Sequence, residues 1–329
     1  MEKLKQFIND LRNEKNGFTF DQPWRLEEKS MNVLVPILRK SKKRRKYITF
    51  SEAEDIKVKD TGQIDYVYIT NNESKPVLIC RGDIFRGKTQ ERVAIHDYII
   101  QPTKSLRVSV RCIHQSKGIN GNAEMKYSGR VSSDVDLSSQ GHTWNTISET
   151  ITTYYSNTNI NDAVEDNTLT QANPVLGRYA RMDPIAQMFG SNVKNDNYVE
   201  MLDDIVDDMK TVMKKMPFIK NQVGVVFFED NDLKGLEIYD SKDSWNALKE
   251  DVIQKEGSSF ISKDDENLFE FKPSAAKKLI KKRLNVEFVE KDIYNKEYKL
   301  VNVKSDDYVG EGLIWKNDVI HFSLWKRHR

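Results

Sequence analysis

Tyr66-Val67-Tyr68-Ile69, Pro76-Val77-Leu78-Ile79-Cys80, Val93-Ala94-Ile95 and Leu106-Arg107-Val108-Ser109-Val110-Arg111-Cys112 all fall within one stretch, residues 63–114. Asn71-Asn72 and Arg81-Gly82-Asp83 interrupt it as turns. Val93 and Ile95 share one face of a strand, and Leu106, Val108, Val110 and Cys112 line one face of another. Short strands with turn signals every 8–12 residues point to a β-sandwich or barrel. No strand–helix alternation appears here, which argues against a Rossmann-type domain.

On the N-terminal side the β pattern extends back through Val33, Val35 and Ile37 and resumes at Tyr47-Ile48-Thr49-Phe50. Between them lies a basic run, residues 39–46, read as a solvated loop; Ser51-Glu52-Ala53-Glu54 resembles a capped helical turn. Residues 2–13 form an amphipathic helix, with Leu4, Phe7, Ile8 and Leu11 at helical spacing. It is expected to dock on the body of the protein, with a partner-binding arm as the alternative. On the C-terminal side, residues 115–195 are rich in Asn, Ser, Thr and Asp and read as a polar insertion or long ordered loops. A strong helical period follows from Val199 to Met216, stopped by Pro217. Ser241 caps a further helix, and Ser274–Leu284 is a basic one. Strands end the chain, with Lys316-Asn317-Asp318 as the last hairpin turn. The predicted class is α+β: a β-sandwich-like core of mainly antiparallel strands, with helices of the C-terminal half packed on it. The expected segments are 1–30 (helix and linker), 31–114 (β-rich core), 115–195 (polar insertion) and 196–329 (helices and completing strands).

The 329 residues carry 52 basic and 50 acidic side chains, and hydrophobic residues make up 38%. The mean hydropathy is −0.66. No apolar run approaches the ~18 residues of a membrane span, and the first residues lack the apolar segment of a secretory signal. Two cysteines, Cys80 and Cys112, build no disulfide scaffold or zinc site and read as inert buried thiols. A cytoplasmic protein with no metal and no cofactor is expected. Nucleic-acid binding through 39–46 and 277–283 ranks last, because the total charge is near neutral.

Standard nucleophile, phosphate-loop, zinc and kinase motifs are missing, so the sequence leaves open whether a reaction is catalysed. The most loaded string is Arg81-Gly82-Asp83-Ile84-Phe85-Arg86-Gly87-Lys88-Thr89-Gln90-Glu91-Arg92. A strand beginning at Gln90 places Gln90, Arg92, Ala94 and His96 on one face. An amide, a guanidinium and an imidazole in a row can grip a phosphate, a carboxylate or a ribose. An internal network in which Asp83 pairs with Arg92 and fixes the turn is the equal alternative.

These strings resemble the ARG-and-rhodanese-phosphatase-superfamily-associated domain family, prokaryotic proteins of unknown activity. The likeness runs from Val33-Leu34-Val35-Pro36 and Tyr47–Ala53 through Gly82-Asp83, Gly87, Gln90 and Arg92. It continues in the strand ending Val110-Arg111-Cys112-Ile113-His114-Gln115, in Gln140 with Trp144, and in Gly312–Phe322 with His321. The family's usual glutamate after the cysteine strand is His114 here, and its Arg-Trp is replaced by Ser116-Lys117-Gly118. The resemblance implies, by association, a link to NAD or ADP-ribose metabolism. The leading expectation is therefore binding or processing of a phosphorylated, nucleotide-like molecule. Arg92 would meet its anion, Gln90 and Asp83 would orient it, and His96, His114, Trp144 and His321 are further candidates. The alternative is a structural or interaction module that contacts a protein through its N-terminal helix.

Overall fold

The computed structural model of the chain describes residues 1–25, 32–88, 90–115, 117–118, 121, 123–166, 198–229, 231–257, 271–290 and 297–327. Its strands are almost all antiparallel, and with the helices they make an α+β protein. The β structure divides between a closed barrel and a large open sheet, and the functional interest lies where the two meet.

The barrel has six strands, four of them within residues 63–114 and one on either side of that stretch. They are β5 (Ile56–Asp60), β6 (Tyr66–Asn71), β8 (Asp83–Arg86), β9 (Arg92–Ala94), β11 (Ser105–Cys112) and β12 (Glu124–Arg130), closed in the order β11-β6-β5-β12-β8-β9. Closure leaves no unpaired edge. The alternation along β11 puts Val108, Val110 and Cys112 inside. A three-stranded patch caps it: β4 (Ile48–Thr49), β7 (Val77–Ile79) and β10 (Tyr98–Ile100), in which β4 and β7 run parallel.

The open sheet draws on both ends of the chain. Its path is β1 (Phe18–Phe20), β3 (Val33–Arg39), β13 (Gln222–Glu229), β14 (Asp232–Tyr239), β18 (Asp318–Lys326), β17 (Tyr308–Trp315), β16 (Tyr298–Lys304) and β15 (Glu287–Glu290), with β2 (Trp24–Arg25) on β3. The β17–β18 turn holds Lys316 and Asn317 at φ +48° and +66°, the left-handed pair that a tight hairpin demands. Helix α1 (Glu2–Arg12) lays Leu4, Phe7, Ile8 and Leu11 against this sheet, fully inside its core. Gly312 leaves the room that Leu4 fills, since a Cβ there would come within 2.6 Å of it.

The polar stretch after residue 115 holds strand β12 and helix α2 (Gln140–Asp166). Composition hides this helix because Ser, Thr and Asn replace the usual helix formers. Ile147, Ile151 and Tyr154 nevertheless bury one face, and Thr146 and Thr150 donate back to carbonyls four residues earlier. Residues 116, 119, 120, 122 and 167–195 of that stretch lie outside the described residues. Helix α3 (Tyr198–Lys214) packs Val199, Leu202, Ile205 and Met209 into the core. Helix α4 (Lys242–Gln254) starts at a Ser241 cap and buries Trp245, Leu248 and Val252; α5 (Pro273–Arg283) is the basic helix. Of the basic run, Arg45 pairs bidentately with Glu52, and Lys43 reaches Asp240 and Asp318. No helix among the described residues is long and apolar enough to cross a membrane.

Candidate functional site

Three neighbouring strands of the open sheet write polar residues on one face. Register pairs Glu237 of β14 with Ser323 of β18, and Ser323 with Glu311 of β17, so these three form a row across the sheet. Two residues along, Tyr239 stands opposite His321 on the same face. The other face of β14 carries Leu236 and Ile238 into the core under α1. A sheet that buries both faces is normally apolar on both. The acids on this face therefore need partners, and the barrel supplies them.

Two backbone devices aim the barrel's groups. Gly82 at φ +93° completes the turn from Cys80 to Asp83, closed by Asp83 N–H on the Cys80 carbonyl at 3.0 Å. Asp83 Oδ2 accepts from Cys80 N–H at 2.8 Å, locking that turn. In β12 the register slips between Tyr127 and Arg130, with Gly129 at φ +83° inside the slip. Such a bulge bends a strand and redirects the next side chain, here Arg130.

Arg130 is the hub. Its Nη1 donates to Glu237 at 3.0 Å and to the Tyr239 hydroxyl at 3.1 Å, and its Nη2 to the Arg81 carbonyl at 2.9 Å. Nε lies 3.3 Å from Asp83 Oδ1. Tyr239 donates to Glu237 at 2.8 Å, and Lys255, just past α4, donates to the other Glu237 oxygen. His321 stacks on Tyr239 with ring centroids 4.6 Å apart, and its Nδ1 lies 2.6 Å from Asp97 Oδ2. Asp97 Oδ1 accepts from Arg81 N–H at 2.7 Å. Glu311 accepts from Asp97 N–H at 2.9 Å and meets His96 Nδ1 at 2.8 Å. Every one of Asp83, Asp97, Arg130, Glu237 and His321 is at most 3% exposed.

Burial this deep moves proton affinities. It pushes the Asp83 carboxyl up to about 7, with Arg130 opposing. Glu237 is driven the other way: burial works against its charge, but Arg130 and Lys255 outweigh it and hold the carboxylate well below the usual range. Burial alone would lower His321, yet Asp97 raises it to about 9. The His321 ring is therefore an imidazolium at neutral pH, paired with ionised Asp97. Cys80 joins Asp97 and His321 within 4.8 Å. Two ligands of one tetrahedral zinc ion stand roughly 3.3 Å apart, given metal–ligand distances near 2.0 Å. The 2.6 Å separation of His321 and Asp97 is instead that of a charge-assisted hydrogen bond. Burial also keeps the Cys80 thiol protonated.

A cavity of about 650 Å³ opens above this network, between the barrel and the sheet. Arg130, Glu237, Glu311 and His96 form its floor, with Lys255 at one side. Val131, Val135, Leu137, Val303 and Trp325 give it an apolar wall, and Arg81, Lys304, Lys326 and Arg327 bring positive charge. Ser132 and Ser133 cross one end; Ser133 donates from N and Oγ to Glu256 at 2.9 and 2.8 Å.

The candidates read from sequence separate into two groups. Asp83, His96 and His321 come together in or directly beneath the cavity. Arg92 does not: it is fully buried inside the barrel, with Nη2 3.2 Å from Asp60 and Nη1 2.5 Å from Cys112 Sγ. Asp83 pairs with Arg130, and Arg92 with Asp60, because the Gly82 turn directs Asp83 toward the sheet. Gln90 clasps the His114 backbone through both amide atoms, at 3.1 and 2.8 Å. The His114 ring meets Glu91 at 2.9 Å. Gln140 clasps Cys112 in the same manner, and Trp144 follows it, half-buried on α2. None of these four (Gln90, Arg92, His114, Trp144) lines the cavity.

Arg130, Glu237, Lys255 and Glu311 escaped the sequence reading. Each is a single charge in a different element, and only the strand register unites them. The available signal was a lone acid at an inward position of an apolar strand, as in Gly235-Leu236-Glu237-Ile238-Tyr239.

Against known proteins, the model of the ARG and Rhodanese-Phosphatase-superfamily-associated Protein domain matches residues 18–325. The chain belongs to this family. No curated protein and no solved structure matches it. The family match takes in the barrel, the open sheet as far as Trp325 and most of the cavity lining, while residues 1–17 with α1, and the cavity residues Lys326 and Arg327, lie outside it.

Proposed function

We propose that this member of the family binds a phosphorylated, nucleotide-like small molecule in the cavity between barrel and sheet. The carrying observation is the division of the cavity's lining. One wall is apolar and includes the Trp325 indole, the floor is a network of ion pairs, and the mouth holds Arg81, Lys304, Lys326 and Arg327 beside Asp136, with Lys326 also donating to Asp232 at 2.7 Å and Lys304 standing 3.6 Å from Glu287. A flat ring gains contact area on an apolar wall, and a phosphate gains from guanidinium and ammonium donors. The volume, about 650 Å³, suits a ligand of nucleotide size. Glu237 and Glu311, both nearly inaccessible, are already engaged by Arg130, Lys255 and His96. They therefore repel an anion less than free carboxylates would. In this reading Arg81, beside Gly82 at the cavity, takes the anion-meeting role that the sequence reading gave to Arg92.

The test is a thermal-shift and calorimetry panel of ADP, ADP-ribose, ribose 5-phosphate and inorganic phosphate. Wild-type protein is expected to melt higher with a nucleotide ligand well above its Kd. Arg81→Ala/Lys326→Ala should weaken binding at least about tenfold, the scale of losing charge-assisted hydrogen bonds, with little change in the unliganded melting point. An undiminished response in the double variant would remove the cavity mouth as the anion site.

A further inference from the structure

Lys255 stands apart from the other cavity cations. Lys304, Lys326 and Arg327 are exposed at the mouth, whereas Lys255 is 5% exposed in the interior. Its Nζ contacts one Glu237 oxygen and stands 4.4 Å from the Trp325 ring centroid. Glu237 has its charge answered without Lys255, since Arg130 and Tyr239 both donate to its second oxygen at 3.0 and 2.8 Å. Burial on the wall of a cavity beside the Arg130 guanidinium favours the neutral amine that attacks carbonyl groups, while the Glu237 oxygen and the Trp325 face hold Nζ in place.

We propose that Lys255 is an imine-forming lysine, condensing with the aldehyde carbon of a phosphorylated aldehyde or open-chain sugar phosphate bound in the cavity. This rests on the reading of the mouth as a phosphate site. Burial lowers the proton affinity of the Lys255 amine below the ordinary lysine range; Glu237 opposes this and Arg130 adds to it. The step is self-contained. The ammonium releases one proton to cavity water, and the free amine attacks the carbonyl carbon to form the N–C bond. A second nitrogen-bound proton moves to the oxygen, giving a carbinolamine. A proton taken back from water goes to that hydroxyl, the C–O bond breaks, and water leaves. The product iminium keeps one N–H and the single positive charge the ammonium began with. Glu237 stays ionised beside it throughout, and no oxidant or reductant is consumed.

The experiment uses the full chain and pyridoxal 5′-phosphate, a phosphorylated aldehyde whose imine absorbs visibly, followed by borohydride reduction and peptide mapping. The expected result is saturable modification at Lys255, at least tenfold faster than at any exposed lysine, suppressed by ribose 5-phosphate and lost in Lys255→Arg. The wild-type map decides the matter even if that variant folds poorly. Modification spread over exposed lysines such as Lys304 and Lys326, with Lys255 untouched, overturns the proposal. ADP binding measured in parallel separates the two readings. Binding without an adduct at Lys255 defeats only the imine, and an adduct without ADP binding defeats only the nucleotide.

Discussion

Replacing His321 by Asn tests the buried network most quantitatively. An Asn amide can still donate to Asp97 from near the Nδ1 position, but it cannot carry the imidazolium charge. In the folded protein His321 rises from 6.5 to about 9, which at 1.36 kcal/mol per pH unit corresponds to about 3 kcal/mol. A histidine with a raised folded pKa stabilises fully below 6.5 and loses that contribution as pH climbs toward 9. Urea unfolding of wild type and variant at half-unit steps from pH 5.5 to 9.5 gives the difference in stability at each pH. That difference should be largest at pH 5.5–6.5 and shrink by about 3 kcal/mol by pH 9. What remains above pH 9 reports the lost stacking on Tyr239, 4.6 Å away. Asp83 is an acid raised to about 7, so it favours the fold when protonated and its contribution falls between pH 3.8 and 7. Being present in both proteins, it largely cancels. A difference that stays constant from pH 6 to 9 would refute the charged His321–Asp97 pair.

Other perturbations carry their own magnitudes. Arg130→Met strands Glu237 and half-neutral Asp83 in the interior, and should cost about 3–5 kcal/mol in urea unfolding; a loss under 1 kcal/mol would show that Arg130 is not the hub. Arg92→Ala should likewise destabilise by about 3 kcal/mol, because it leaves Asp60 buried and unpaired, and ligand response measured below the melting point should survive. Gly235→Ala would put a Cβ 2.1 Å from the Trp325 ring. It should shift Trp325 fluorescence and weaken nucleotide binding together, and an unchanged emission spectrum would contradict that contact. Arg45→Ala removes an ion pair at the surface and should change stability by less than about 1 kcal/mol, read from the same unfolding curves.

The elements that were legible in sequence are those whose pattern is local. The period of Leu4, Phe7, Ile8 and Leu11 marks α1, the alternation of Leu106 to Cys112 marks β11, and Lys316-Asn317 marks the final hairpin. Helix α2 was not legible, because Thr146, Thr150 and Thr152 satisfy their hydroxyls on the helix's own carbonyls, which no composition rule anticipates. The separation of barrel from open sheet depends on long-range register: β3 finds β13, and β14 finds β18. The candidate site followed the same rule. Asp83, His96 and His321 lie in strings that look unusual by themselves. Arg130 needed the Gly129 bulge and Glu237 needed its neighbours on β17 and β18, and neither is visible along the chain. Arg92 drew attention as an arginine beside a glycine-rich turn, yet barrel closure carries it inward to Asp60 and Cys112 instead of to the cavity.

The most direct test of the account is hydrogen–deuterium exchange of the wild-type chain with and without saturating ADP. Added protection should concentrate where backbone borders the cavity, at residues 81–82, 131–138 and the C-terminal part of β18 around Trp325. The barrel strands β9 and β11 around Arg92 and Cys112 should be unchanged. Protection centred on those barrel strands, or no protection from any phosphorylated ligand in the panel, would contradict it.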